Sequence, residues 1–308
     1  MSHPPTLTEI KAILDAAGLR PDRRFGQHFL IDANLMRMLV DAAELQAEDT
    51  VLEVGPGVGN LTELLLERAG HVVAVEIDPD LAAVARGRLA AAANLDLIVA
   101  DILVDKHTVS RQTLELVRRR RQPRGAVKLV ANLPYAAATP LVAELVQMEN
   151  PPERLVFTVQ EEVALRLVAE PATREYGPVG VIVQATAEIE ILRRLAPSVF
   201  WPRPAVWSSM VRVWPRAHLH RRIADIAALH RTLAGLFGHR RKRAARSLAL
   251  ADPSGASPRQ WAARLADAGL DPEARGEMFT VEEIVRLANR MANEHAAGPE
   301  CASCGGHQ

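Results

Sequence analysis

The chain has 308 residues, 48% of them apolar and 24% charged, and its 37 basic side chains are matched by 37 acidic ones. Those values exclude a disordered or fibrous chain and leave room for one large domain beside a smaller one. Taken alone, a zero net charge also speaks against a nucleic-acid partner. No apolar run approaches the roughly 20 residues a membrane helix needs. Met1 to Arg24 lacks the charged-then-apolar pattern of a signal peptide, so the expectation is a cytoplasmic protein with no membrane partner.

In chain order, Val51–Gly55, His71–Ile77, Leu95–Ala100, Ala126–Leu133 and Leu155–Gln160 read as buried strands. Leu61–Ala69, Pro79–Ala92, Arg111–Arg121 and Pro140–Met148 between them read as helices, with Pro79 and Pro140 each placed in a first helical turn. Strand and helix in alternation predict an α/β fold, a Rossmann-like doubly wound parallel sheet. Pro178–Thr186 is β-branched and ambiguous by periodicity, while Glu188–Leu192 and Met210–Trp214 read as strands completing the sheet. After Pro215 the composition turns to Ala, Leu and Arg at helical spacing. The expected division is a catalytic domain over 1–215, a small all-helical domain over 216–296 and a disordered tail over 297–308. Cys301 and Cys304, the only cysteines, stand in that tail near His307. They read as free thiols of a frayed terminus rather than half a zinc site, so no metal is expected.

The zero charge conceals blocks. From Asp41 to Asp101 there are 12 acidic and 3 basic residues, net −9. Arg111 to Lys128 carries 7 basic and 1 acidic, net +6, and Arg203 to Arg246 carries 11 basic and 1 acidic, net +10. Ser247 to Gln308 returns to net −4, with 9 acidic and 5 basic residues. The basic blocks suit a polyanion, and their alternative is internal pairing with the acidic segments.

Gly55-Pro-Gly57-Val-Gly59 follows the first of these strands and opens a helix, a turn in which the backbone can approach a ligand closely. Glu76 ends the next strand and can accept from both ribose hydroxyls of an adenosine. Asp101 ends the third and can accept from an adenine amino group. The glycine spacing is not that of dinucleotide binders. With Glu53 just upstream and a net −9 around it, the pattern suits S-adenosyl-L-methionine (SAM), a cationic cofactor without a pyrophosphate.

The fourth strand runs into Asn132-Leu133-Pro134-Tyr135. Adenine N6 is a poor nucleophile, because its lone pair is delocalised into the ring. Acceptors from the Asn132 side chain and a backbone carbonyl near Pro134 can bind both N6 hydrogens and favour the developing positive charge. Tyr135 can stack on the base, and the amine then reacts largely through positioning.

At this point the chain resembles the small-subunit rRNA adenine N6,N6-dimethyltransferase family, over about Leu19 to Met291. The resemblance rests on an ordered set. Phe25-Gly26-Gln27-His28-Phe29-Leu30 comes first, then the Gly55–Gly59 loop, Glu76, Asp101 and Asn132–Tyr135. Val159-Gln160-Glu161-Glu162-Val163-Ala164, Tyr176-Gly177, Phe200-Trp-Pro202-Arg-Pro204 and Arg240-Arg241-Lys242 follow.

The resemblance implies that Gln27, His28 and Leu30 lie over SAM, with Gly55, Gly57, Glu76, Asp101 and Asn132 completing its site. It implies that Phe200 sandwiches the target adenine opposite Tyr135, and that Arg240, Arg241 and Lys242, on a predicted helix, meet RNA phosphate. On resemblance alone Pro178–Thr186 is a helix. The implied substrate is two adjacent adenines near the 3′ end of 16S rRNA in a pre-ribosomal particle, each methylated twice by a monomeric enzyme in ribosome biogenesis. Three positions depart from the family pattern: Ala136 stands where a larger residue is common, and Ala205 and Trp207 replace a Lys and an Asp. The rival readings are a large-subunit rRNA adenine methyltransferase of the antibiotic-resistance type, a non-catalytic ribosome-assembly or transcription factor, and, more weakly, a DNA adenine methyltransferase.

Overall fold

Val- and Leu-rich runs with helices between them bury both faces of each strand when they fold, which is how a parallel sheet is made. The structure, a computed structural model, describes residues 4–22, 26–106 and 108–296. Phe25, Cys301, Cys304, His307 and the whole tail 297–308 lie outside the described residues.

The first elements are α1 (Leu7–Ala16), β1 (Phe29–Leu30), α2 (Ala33–Ala42), β2 (Thr50–Val54), α3 (Asn60–Leu66), β3 (His71–Glu76), α4 (Pro79–Arg88) and β4 (Leu95–Val99). Then come α5 (Arg111–Arg120), β5 (Val127–Asn132), α6 (Tyr135–Gln147), β6 (Arg154–Gln160), α7 (Glu161–Leu167), α8 (Pro178–Thr186), β7 (Ala187–Leu195), β8 (Phe200–Trp201) and β9 (Ser208–Pro215). Last are α9 (Ala217–His220), α10 (Ile226–Phe237), α11 (Ala244–Ala251), α12 (Pro258–Asp267) and α13 (Val281–Ala296).

The expected α/β sheet is present, with strand order β4-β3-β2-β5-β6-β9-β7. The strands from β2 to β6 pair in parallel. β9 runs antiparallel between β6 and β7. The order reverses at β2, which has β3 on one side and β5 on the other. In an open sheet the ligand crevice lies at the carboxyl ends of the strands beside such a reversal.

At the opposite, amino edge the sheet is tied by a buried ion pair. Lys128 Nζ, 3% exposed, lies 2.8 Å from Asp49 Oδ2 and donates to the Glu44 carbonyl at 2.8 Å. Burial pushes the Asp49 carboxyl up. Lys128 and the backbone N–H groups of Gln46 and Ala126 outweigh it and hold the group below its usual range. The same edge receives the end of α5. The Arg120 carbonyl accepts from Thr50 Oγ1 at 3.1 Å, and its guanidinium binds Asp96 at 2.5 and 2.9 Å. The +6 block therefore has its arginine run away from the crevice, and part of it is paired internally.

One predicted helix starts earlier. α6 begins at Tyr135 rather than Pro140, which lies inside it. Pro134, with φ −58°, starts the helix, and Ala136–Ala138 have high helix propensity but no periodic pattern to announce it. Pro140 removes the bond its N–H would have made to the Ala136 carbonyl and sets its ring against that carbonyl. α8 is the helix that the resemblance implied, formed against its β propensity. Gly180, Val181, Ile182, Val183, Ala185 and Thr186 are all buried, so tertiary burial overrides the local preference.

The chain divides into two compact units. One takes the described part of Met1–Val168 with Ala187–Pro215, and the other takes Ala169–Thr186 with the described residues after Arg216. The expected 1–215 domain is thus interrupted, because α8 packs on α9, α10 and α13. Inside the helical unit, fully buried Tyr176 donates its hydroxyl to the Phe279 carbonyl at 2.9 Å, and Trp261 and Ile284 fill its core. Among the described residues no helix is long and apolar enough to cross a membrane.

Candidate active site

The crevice is built first from glycine. Gly55 and Gly57 have φ of 74° and 59°, a region that L side chains avoid. A Cβ on Gly55 would come within 3.2 Å of Pro134 Cγ, and one on Gly57 within 2.8 Å of Phe29 Cε1. The turn after β2 therefore abuts both the loop after β5 and the strand β1.

Three acids stand at or just beyond the carboxyl ends of β2, β3 and β4. Glu76, at the end of β3, accepts from Gly57 N–H at 2.9 Å with one oxygen and from Asp78 N–H at 3.1 Å with the other. Each oxygen keeps a lone pair. Burial pushes its carboxyl up, against those two hydrogen bonds. Glu53, on β2 and 1% exposed, has a buried Oε2 with no hydrogen-bond partner. Burial pushes this carboxyl up to about 8; Thr62 opposes the rise and the charge of Glu76 adds to it. Asp101, beyond the end of β4, is exposed and accepts from Leu103 N–H at 2.9 Å. A glycine cradle, the carboxylates of Glu76 and Asp101 at successive strand ends and the orphaned Glu53 Oε2 on the strand before them fit the adenosyl part of a sulfonium cofactor.

Asn132 ends β5, and both halves of its amide are fixed. Nδ2 donates to the His28 carbonyl at 2.8 Å, and Oδ1 accepts from Thr158 Oγ1 at 2.5 Å. Thr158 is its register partner on β6. This assigns the amide: the oxygen end faces a donor and the nitrogen end an acceptor. Nothing in the sequence singled out Thr158, because its role follows from cross-strand register rather than from a motif. The Leu133 N–H also donates to the Thr158 carbonyl, at 3.2 Å. The Tyr135 hydroxyl lies 3.4 Å from Ser208 Oγ, and burial pushes its pKa up, with Ser208 opposing. The ring beside Tyr135 is that of His28, with centroids 5.5 Å apart.

The segment before β1 is latched on. Gln27 Nε2 donates to Asp78 Oδ2 at 2.8 Å, and its Oε1 accepts from Asp22 N–H at 2.8 Å. His28 Nδ1 lies 2.6 Å from the Pro202 carbonyl. Leu30 pairs with Phe200 in the two-stranded β1–β8 sheet.

A family model described as ribosomal RNA adenine dimethylase matches residues 19–293. The chain belongs to that family. A ribosomal RNA small subunit methyltransferase A from Pediococcus pentosaceus is 37% identical over 290 residues, covering 93% of this chain and 95% of the relative. One of the same name from Alkaliphilus metalliredigens is 36% identical over 290 residues, covering 92% and 96%. Among solved structures, a dimethyladenosine transferase from Plasmodium falciparum shares the fold, with a TM-score of 0.68, 20% identity and 86% and 97% of the two chains covered. The 23S rRNA methyltransferase ErmE superposes with a TM-score of 0.59 at 27% identity, covering 86% and 99%.

Against what the dimethylase family implies, two groups of residues sit differently. Phe200 is 4% exposed and belongs to the core cluster with Leu30, Leu35 and Met210. Its ring is spent on packing, so in this conformation the aromatic neighbour of Tyr135 is His28. Arg240, Arg241 and Lys242 are not on a helix but in the turn between α10 and α11. Arg240 donates to the Tyr176 and Arg174 carbonyls at 3.0 and 3.3 Å and pairs with Glu277 at 3.0 Å. That side chain holds the 174–176 segment within the helical unit. Arg241 is exposed and Lys242 half-buried. Among the described residues, no group of three or more His, Cys, Asp or Glu side chains could hold a metal.

Proposed function

We propose that this dimethylase transfers methyl groups from SAM to N6 of two adjacent adenosines near the 3′ end of small-subunit 16S rRNA, two to each. Its substrate would be a pre-ribosomal particle in the cytoplasm, met by a monomer of the enzyme. When bound, the cofactor supplies an electrophilic methyl group on a sulfonium. Gly55, Gly57, Glu76, Asp101 and Asn132 would hold it, with Gln27, His28 and Leu30 beside them.

The observation that carries the reading is the fixed amide of Asn132. One lone pair of Oδ1 takes the Thr158 proton, which leaves the other for an N6 hydrogen of the target base. The Pro134 carbonyl is occupied, accepting from Ala137 and Ala138 N–H at 3.1 Å. The second acceptor for N6 is therefore the Leu133 carbonyl. Two acceptors aimed at one amino group stabilise the charge that develops there and need no strong base, because the proton can leave afterwards. Tyr135 supplies a face for a base drawn out of its stack.

Asn132→Ala should abolish methyl transfer from labelled SAM to unmethylated small subunits, while circular dichroism and melting stay close to wild type. Retained formation of dimethyladenosine would overturn the mechanism. The shared fold with ErmE keeps a large-subunit target as the second reading. The small-subunit names of relatives that match over more than 90% of the chain favour the first. Primer-extension stops on the two rRNAs separate them.

A further inference from the structure

Trp207 stands where the family pattern has an acid, and it is 41% exposed. Large exposed aromatics carry a hydration cost, so what surrounds this one matters. Its backbone carbonyl accepts from Glu161 N–H at 2.9 Å, which fixes the main chain where β9 begins against the start of α7. The Arg194 guanidinium lies over the indole, 4.0 Å from the ring centroid. Arg194 is in turn gripped by both oxygens of Glu161, with Nη2 2.9 Å from Oε2 and Nε on Oε1. The result is a tryptophan braced on one face by a planar cation whose own charge is already paired. No other ring or cation lies over it among the described residues.

Its position is as telling. Ser208, the next residue, is the register partner of both Gln160 at the end of β6 and Leu195 at the end of β7. Ser208 Oγ also lies 3.4 Å from the Tyr135 hydroxyl. Trp207 therefore stands at the carboxyl edge of the sheet, one residue from a side chain that touches the aromatic wall of the reaction site.

We infer that Trp207, held by Arg194 and Glu161, is a stacking platform for an unpaired nucleotide next to the adenosine being methylated. This rests on the reading of the chain as an RNA adenine dimethylase and names a contact that the reading does not contain. A base drawn from its stack leaves a neighbour without a partner, and an exposed indole replaces that missing stacking. Because Glu161 neutralises Arg194, the platform works through the π-face and not through phosphate. It should tolerate any base and contribute little to salt dependence.

The test uses the full chain and a short single-stranded RNA carrying two adjacent adenines. Quenching of tryptophan fluorescence by the RNA is compared between wild type and Trp207→Phe; most of the quenching should disappear with the Phe variant, while RNA affinity stays near wild type. Trp207→Ala should bind the RNA about tenfold more weakly, with an unchanged slope of log Kd against log salt and an unchanged affinity for SAM by calorimetry. On unmethylated small subunits the same variant should raise KM while kcat is nearly kept. Equal RNA affinity in wild type and Trp207→Ala would overturn the inference. A reduced salt slope would also overturn it, by making the site a phosphate contact. Failure of the dimethylase reading shows separately, as absence of dimethyladenosine from wild-type reactions.

Discussion

Thr158→Val isolates the orientation of the Asn132 amide. The substitution keeps the β-branched shape of a side chain that is 1% exposed on β6, so the strand itself should survive. It removes the donor that sits 2.5 Å from Asn132 Oδ1 and leaves the amide held only through its nitrogen, on the His28 carbonyl at 2.8 Å. A hydrogen bond of this kind is worth about 1 kcal/mol net, which corresponds to roughly a fivefold loss of rate if it acts in the transition state. The loss should fall on kcat, measured with labelled SAM and saturating unmethylated small subunits. Affinity for SAM by calorimetry should stay close to wild type. Thr158→Ser restores the hydroxyl and should recover most of the rate although it lacks the γ-methyl that Thr and Val share, which a packing effect would not do. A wild-type kcat in Thr158→Val, or a Ser variant as slow as the Val one, would refute the argument.

Four further outcomes are expected. An unfolded chain releases the Glu53 proton near 4.5, while the buried carboxyl holds it up to about 8, so stability falls as pH rises through that window. Glu53→Gln removes this dependence, and its melting temperature should exceed wild type by more at pH 8 than at pH 5; parallel curves would contradict the burial argument. Lys128→Met strands Asp49, whose carboxylate is held below its usual range, and should cost about 3–5 kcal/mol in urea unfolding. The double change Lys128→Met with Asp49→Asn should recover part of that. Arg241→Ala with Lys242→Ala should lower the salt slope of RNA binding, as read by filter binding, by about 1 for each phosphate no longer neutralised. Arg240→Ala should instead lower the melting temperature, because its guanidinium ties the Tyr176 and Arg174 carbonyls.

The central sheet was legible because its strands announce themselves. Val51–Val54, apolar but for Glu53, and Val72–Val75 are short runs ended by Gly or by an acid, and such punctuation is local. Asn132, Glu76 and Gly57 were legible for the same reason, as each sits at a strand end or in the turn that follows one. What local pattern could not reveal depends on partners far along the chain. Thr158 acquires its role only through register with β5, 26 positions away in sequence. Phe200 shows an aromatic side chain but not that it pairs with Leu30 and fills the core. Arg240 counts toward a positive block, yet its fork is used on backbone carbonyls. The charge arithmetic misleads at α5 for a related reason: a helix leading into a parallel strand ends at the amino edge, so the arginines before β5 finish on the side away from the crevice.

That geometry has one more consequence, carried by a single strand. β5 holds Lys128 in its buried ion pair near one end and Asn132 at the other, four residues and about 13 Å apart. Both side chains lie on the same face of the pleat and both have fixed partners on other elements. Sliding this strand by one position would swing both to the wrong side at once, stranding a buried cation and breaking the hold of Thr158 and His28 on the Asn132 amide together. The molecule thus checks the alignment of Asn132 from the far end of the strand. A chain that misplaces Asn132 is also a chain that cannot comfortably fold.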